Sequence, residues 1–295
     1  MRHADAHLTE RVAGLPFWSG RAHVEPVTGG MTNANFCVRD ANGKYFVRLG
    51  EDVPVHGVLR FNEFAASAAA AECGLSPALL HSAPGVLVFQ WIEGSALTAR
   101  DIKDKVMLAR IVPLLKTCHE ELPKYLRGPV LAFWVFHVIR DYIATLRASG
   151  SPYLEELARF SIASEELEAA VGDIHLVFGQ NDLLPSNIIN DGARLWLIDW
   201  DYAGYNSPLF DLANLSTNAG LDEAEENYLL ELYFGRKPDR PLRQKFLAMA
   251  AASALRETLW SMVSEQNSTL AVDYAAYTSE NRQRFEMAFL RYDFY

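Results

Sequence analysis

Val177-Phe-Gly-Gln-Asn-Asp-Leu-Leu-Pro-Ser-Asn-Ile-Ile189, closed by the turn Asn190-Asp-Gly192 and continued as Arg194-Leu-Trp-Leu-Ile-Asp-Trp-Asp201, decides how this chain is read. Asp182 and Asn187 flank a turn that contains Pro185 and Ser186, and Ile188-Ile189 begins a strand. Leu195 to Asp201 returns as its hairpin partner. Period-2 alternation puts Leu195, Leu197, Asp199 and Asp201 on one face, and Trp196, Ile198, Trp200 and Tyr202 on the other. Two carboxylates are thus expected to emerge together at the end of an apolar strand, near Asn187 and, through the loop, near Asp182. Asp182 and Asn187 alone would read as turn residues, since both types favour turns. The added pair Asp199 and Asp201 argues for chemistry.

Carboxylate and amide oxygens suit Mg²⁺, which keeps several waters and shares its shell with substrate phosphates. One further carboxylate can take a proton from an attacking hydroxyl. Together these are the parts required for phosphoryl transfer from a nucleotide to an alcohol.

Upstream, the pattern is strands around one helix. Ala22 to Val27, Asn35 to Arg39 and Tyr45 to Leu49 read as strands, the last two joined by the hairpin signal Asn42-Gly43. The Ala-rich run Glu63 to Cys73 reads as a helix stopped by Gly74 and Pro77. Leu79 to His81 and Val86 to Trp91 add two strands. Beyond Gly94 the apolar spacing turns helical over 104–118, 134–148, 154–171, 223–234, 244–265 and 275–289. The expected fold is α+β and two-lobed. Residues 1–92 form a small antiparallel-sheet lobe with one main helix, and 93–295 a larger, mainly helical lobe.

The chain has 295 residues, enough for such a core, with 27 Lys plus Arg against 37 Asp plus Glu. A net charge of −10 disfavours nucleic acid and anionic membrane as main partners. Cys37, Cys73 and Cys118 are too scattered for a zinc motif, and they fit a reducing cytoplasm. The first ten residues are polar, with no apolar signal core, and no run approaches the roughly 20 apolar residues of a membrane span. A cytoplasmic monomer or homodimer is expected. The eight His show no paired metal spacing, and neither a Rossmann, a P-loop nor a nucleophile-elbow motif occurs.

Asn181-Asp-Leu-Leu-Pro-Ser-Asn187, Ile198-Asp-Trp-Asp-Tyr202 and Phe210-Asp-Leu-Ala213 resemble the motifs of the choline/ethanolamine kinase family, within the aminoglycoside-phosphotransferase branch of the protein-kinase-like fold. The resemblance implies ATP and Mg²⁺ as cofactors. It makes Asp182 the catalytic base and Asn187 and Asp199 the metal ligands. Asp211 becomes a structural acceptor for the catalytic loop. Arg48 stands where protein kinases carry a phosphate-binding Lys, with Glu63 as its helix partner. Thr28-Gly29-Gly30-Met31-Thr32-Asn33 resembles the phosphate-covering turn, and Gln90 to Ile92 the hinge that reads adenine. The family ordinarily has His where this chain has Gln180, a position that supports loop geometry.

For the acceptor, the resemblance implies aromatic rings and carboxylates around a cation. Leu259-Trp260-Ser-Met262 and Arg282-Gln-Arg-Phe285 resemble the helices that build that pocket, with Trp260 and Tyr277 as ring candidates. Glu257 stands one turn before Trp260, where eukaryotic members have another aromatic. Asp201 is expected at the mouth. Each ring reads equally well as helix-packing core. The expected activity is phosphorylation of a small cationic amino alcohol, choline or ethanolamine. Thiamine, an aminoglycoside or a sugar are the rival acceptors, and a nucleotide-binding regulatory protein is the rival class.

Overall fold

The computed structural model describes residues 2–27, 33–268 and 272–295, with the side chains of 2–6 left aside. Near the N-terminus, short alternating segments form one antiparallel sheet of β1 (His23–Val27), β2 (Ala34–Arg39), β3 (Lys44–Leu49), β4 (Leu79–Ala83) and β5 (Val86–Gln90), in the order β1-β2-β3-β5-β4. The β2–β3 hairpin turns at Asn42-Gly43 as expected. There the Asp40 carboxylate accepts the Asn42 and Gly43 N–H groups at 2.8 and 3.0 Å. One face of the sheet buries Phe36, Val38, Val47 and Val88 against Val12 and Leu8 of α1 (Arg2–Ala13). This helix was not expected, because among its described side chains only Leu8 and Val12 join the apolar cluster of the sheet, in an otherwise polar segment.

The helix α2 (Arg60–Glu72) starts three residues before the expected Glu63. The Asp52 carboxylate accepts the Arg60 N–H at 2.7 Å and fixes the earlier start. Its small face, Ala66, Ala69 and Ala70, packs into the core of the helical lobe rather than beneath the sheet. Asn62, buried on the same helix, donates to the Ala203 carbonyl at 2.8 Å and accepts the Leu131 N–H at 2.9 Å.

The rest of the chain is mainly helical: α3 (Ala99–Lys103), α4 (Lys105–Lys116), α5 (Val135–Ala148), α6 (Leu154–Val171), α7 (Pro208–Ala219), α8 (Glu223–Phe234), α9 (Arg240–Asn267) and α10 (Tyr274–Asp293). Four of these fall on the expected segments, and α9 and α10 run further at both ends. Helix α7 was not expected. Pro208 to Ser216 is buried on every side, so it has no apolar stripe to find; only the Ser207 cap and Pro208 mark its start. The 28-residue α9 is the axis of this lobe, with α5, α6, α7 and α10 packed around it. Five short strands sit between the helices and the small lobe: β6 (Ser95–Ala96), β7 (Val177–Gly179), β8 (Ile188–Asn190), β9 (Leu195–Leu197) and β10 (Gly204–Asn206). The expected hairpin is present, with Ile188 opposite Leu197 and Asn190 opposite Leu195.

Replacing Asn62 with Ala orphans the buried Ala203 carbonyl and the half-buried Leu131 N–H, which tie α2 to the helical lobe. A loss of about 2 kcal/mol in urea unfolding is expected, the scale of unsatisfied buried polar groups. A change below about 0.5 kcal/mol would contradict that role.

Candidate active site

The carboxylates do not reach the site by strand alternation. Strand β9 ends at Leu197, and Asp199 takes φ +65°, in the left-handed region. Asp199 and Asp201 converge because this turn re-aims the chain, which corrects the shared-face expectation. Asn181, on the facing loop, also has φ +64°. Asp and Asn are the non-glycine residues that best tolerate this conformation, and it still has a cost that the surroundings must offset.

Gln180 and Asp211 supply that offset. The Gln180 amide nitrogen donates to the carbonyls of Ile198 and Asp199, and its oxygen accepts the Asp182 N–H at 2.8 Å. The two strained turns are thus stitched together by one side chain. Asp211 accepts the backbone N–H of Gln180 at 3.0 Å and of Asn181 at 2.8 Å, the geometry expected of it, and also meets His119 Nε2 at 3.0 Å. A Cβ at Gly179 would lie 2.8 Å from Asn181 Oδ1 and 3.0 Å from Asp211, so only glycine fits. The Asn187 amide nitrogen donates to the Asp182 carbonyl at 2.9 Å, which commits the nitrogen and leaves the amide oxygen as its acceptor.

Arg48 bridges the lobes. Its guanidinium meets both oxygens of Asp199 at 2.9 and 2.7 Å, Glu63 at 3.0 Å and Asp201 at 3.3 Å. Burial opposes its charge, but the carboxylates of Asp199, Asp201 and Glu63 outweigh that and raise its pKa well above the ordinary value. Arg60 joins the cluster, pairing with Glu63 and meeting Asp201 at 3.1 Å. Asn33 donates to Asp201 at 2.8 Å. Two guanidiniums therefore face three carboxylates, and one negative charge is left over. Asp201 belongs to this cluster rather than to the group around Glu257. Gly29, Gly30 and Thr32 lie outside the described residues.

A cavity of about 590 Å³ runs from Gln90 and Ile92 past Arg48, Asn187 and Asp199 to Asp182, and ends at Glu257, Trp260 and Tyr277. The backbone N–H groups of Gln90 and Trp91 are taken by the Ala78 and Lys44 carbonyls. At the far end, Tyr277 of α10 donates to Glu257 at 2.7 Å, and the Trp260 N–H donates to the Tyr202 hydroxyl at 2.8 Å. The Trp260 and Tyr277 rings meet edge to face at 6.2 Å. Arg282 and Phe285 turn away, to Glu156 and Phe160 of α6.

Arg256 is the residue that sequence reasoning missed here. It is buried, bonds Glu257 at 2.8 Å, stands 3.9 Å from Asp182, and lies over the Tyr202 ring at 4.3 Å. An adjacent Arg-Glu pair inside an otherwise apolar, Ala-rich run was the available signal, because buried charges come paired. Arg60, one turn before Glu63, had a similar signal. Burial pushes the Asp182 carboxyl up to about 8, with Arg256 pulling it down and Glu257, Asp199 and Asp201 pushing it further up.

The donor set fits Mg²⁺. Asn187 and Asp199 offer oxygens at the edge of a cluster with surplus negative charge. Among the described residues no group of three His, Cys, Asp or Glu is placed to hold a metal. Water and phosphate oxygens would complete such a shell, as Mg²⁺ prefers.

A family model described as choline/ethanolamine kinase matches residues 24–249. Protein LicA of Haemophilus influenzae is 28% identical over 258 residues, covering 84% of this chain and 75% of that protein. A solved choline/ethanolamine kinase family protein from Mesorhizobium loti has a TM-score of 0.77 at 26% identity, covering 96% of this chain and 94% of its own. The structure of choline kinase LicA from Streptococcus pneumoniae shares the fold, with a TM-score of 0.78 at 24% identity and coverage of 98% and 100%.

A carboxyl raised by burial binds its proton more tightly in the folded chain than in the unfolded one. Asp182 therefore removes stability as pH climbs from about 4 toward 8. Asp182→Asn lacks that loss, so its Tm relative to the unaltered protein should rise between pH 5 and pH 8. A difference that stays constant across that range would contradict the buried-carboxyl account.

Proposed function

This chain belongs to the choline/ethanolamine kinase family, a family of alcohol-acceptor phosphotransferases, and from that premise we propose that it transfers the γ-phosphoryl group of Mg·ATP to the hydroxyl of choline or ethanolamine. The observation that carries the proposal is one continuous cavity. It has the Arg48–Asp199–Asn187 cluster on one side of Asp182 and the Glu257–Trp260–Tyr277 group on the other. We take residues 1–92 as the nucleotide-binding lobe and 93–295 as the lobe that supplies the base and the acceptor end.

Asp182 lines up the acceptor hydroxyl and takes its proton as the oxygen attacks. Arg48 donates to phosphate oxygens, held at its depth by Glu63. Asn187 and Asp199 would hold Mg²⁺, which when bound neutralises phosphate charge. Asn33 borders the phosphates, and the segment 90–92 borders the base. Gln180 and Asp211 keep the loop around Asp182 in its strained shape. Most of the catalysis is positioning and charge complementarity rather than covalent chemistry.

Charge supports a cationic acceptor. At the far end the Asp182 and Glu257 carboxyls lie beside one guanidinium, Arg256, and a cationic acceptor entering there would favour the ionised form of Asp182. The Trp260 and Tyr277 rings offer such a cation their π-systems. Glu257, Trp260 and Tyr277 all lie beyond residue 249, where the family match ends, so the acceptor rests on their geometry.

Asp182→Asn should keep nucleotide affinity and lower turnover by about 10²–10⁴-fold, the usual worth of a general base. Calorimetry and ADP release with choline or ethanolamine check both halves, and unchanged turnover would remove Asp182 from the mechanism. Asp199→Ala also frees Arg48 of a carboxylate, so it should weaken nucleotide binding when Mg²⁺ is present without a matching loss in its absence. Equal weakening in both conditions would count against Asp199 as a ligand.

A further inference from the structure

His56 belongs to the small lobe's connection between β3 and α2, yet its ring lies deep in the helical lobe. It ends a single 3-10 turn, Pro54–His56, followed by Gly57 at φ +68°. Val53 and Val58 close the loop with two backbone hydrogen bonds of 2.8 and 3.2 Å, so the ring is carried on a tight support. Both nitrogens have partners: Nδ1 is 3.2 Å from the Tyr142 hydroxyl of α5, and Nε2 is 3.0 Å from the Ser264 hydroxyl of α9. The ring stacks on the Trp260 indole, with centroids 5.0 Å apart and planes 29° from parallel.

We propose that His56 is a positioning residue for the acceptor: it backs the Trp260 indole and so fixes the aromatic wall at the Glu257 end of the cavity. The inference rests on the reading of that end as the acceptor site. Apart from this stack, the indole is held by one hydrogen bond, to Tyr202, and by edge or tilted contacts with Tyr277 and Tyr274. His56 covers one face of the indole, which still takes part in the lining of the cavity. A cation–ring contact depends on where the ring plane lies, so a loosened indole holds an ammonium less well. The chemistry of the backing ring matters as well. Burial and the nearby Arg256 push His56 down to about 4, so it stays uncharged and adds no repulsion toward a cationic acceptor. The loop also joins two ends of the site in sequence, since His56 follows Arg48 on the same short stretch of chain.

Three substitutions separate positioning from bulk stability. His56→Ala and His56→Asn remove the ring, and Asn keeps a group able to bond a neighbouring hydroxyl should the alanine variant not fold. His56→Phe keeps a stacking ring and loses both hydrogen bonds. KM for choline and for ethanolamine, KM for ATP, kcat and Tm are measured for each, with Trp260→Ala alongside. The expected result is an acceptor KM raised about five- to tenfold in the Ala and Asn variants, the scale of one weakened cation–ring contact. KM for ATP and kcat should stay within about twofold. His56→Phe should restore the acceptor KM despite a lowered Tm. An unmoved acceptor KM in the Ala and Asn variants overturns the inference. So does a joint rise of both KM values that follows Tm and is not rescued by Phe. If Trp260→Ala raises the acceptor KM while His56→Ala does not, His56 alone fails. If Trp260→Ala leaves it unchanged, the acceptor reading fails and takes the inference with it.

Discussion

A buried guanidinium has to be met by carboxylates, and the Arg48 cluster is where this protein meets that requirement. Arg48 sits on β3, Glu63 on α2, and Asp199 and Asp201 on the turn after β9, so one charge cluster joins sheet, helix and loop. Burying an arginine without these partners would cost several kcal/mol. Their arrival constrains how the chain leaves β9. The turn at Asp199 has to adopt a left-handed conformation to do this. Gln180 holds that conformation from the facing loop, and Asp211 holds Gln180 and Asn181 from beneath. The chain of dependence runs from a buried helix, α7, to the carboxylates at the cleft.

That ordering explains what the sequence disclosed. The small-lobe strands, the Asn42-Gly43 hairpin and the long helices follow from local periodicity and turn chemistry, and they appear close to where they were expected. Asp182, Asn187, Asp199 and Arg48 do gather in one cavity. The failures have physical causes. Alternation predicts which face a residue takes only while the backbone stays extended, and at Asp199 it does not. Helix α7 is buried all round and so lacks an amphipathic signal. The pairing of Asp201 with Arg60 was not legible, because Arg60 lies before the expected helix start. His56 gave no signal at all, since its partners are 86 and 208 residues away.

The two ends of the cavity stand on different footing. The Arg48–Asp199 end lies within the stretch that matches the choline/ethanolamine kinase family. Glu257, Trp260 and Tyr277, at the other end, stand on α9 and α10 beyond residue 249. There a carboxylate, Glu257, and a buried arginine take part in the wall beside Trp260 and Tyr277. Arg256 lets Asp182 and Glu257 stand near one another in a buried place, because its charge offsets part of their repulsion. The carboxyls of Asp182 and Glu257 and the rings of Trp260 and Tyr277 thus line one end of the cavity around a single buried guanidinium.

The central claim is phosphoryl transfer to an amino alcohol. The most direct test is to follow ³¹P resonances of the unaltered protein with Mg·ATP alone, with choline and with ethanolamine. The account predicts a new phosphomonoester and matching ADP with at least one of the two acceptors, and neither signal when both are absent. ADP formed at the same rate with and without acceptor, or nucleotide bound with no ester from either amino alcohol, would contradict it.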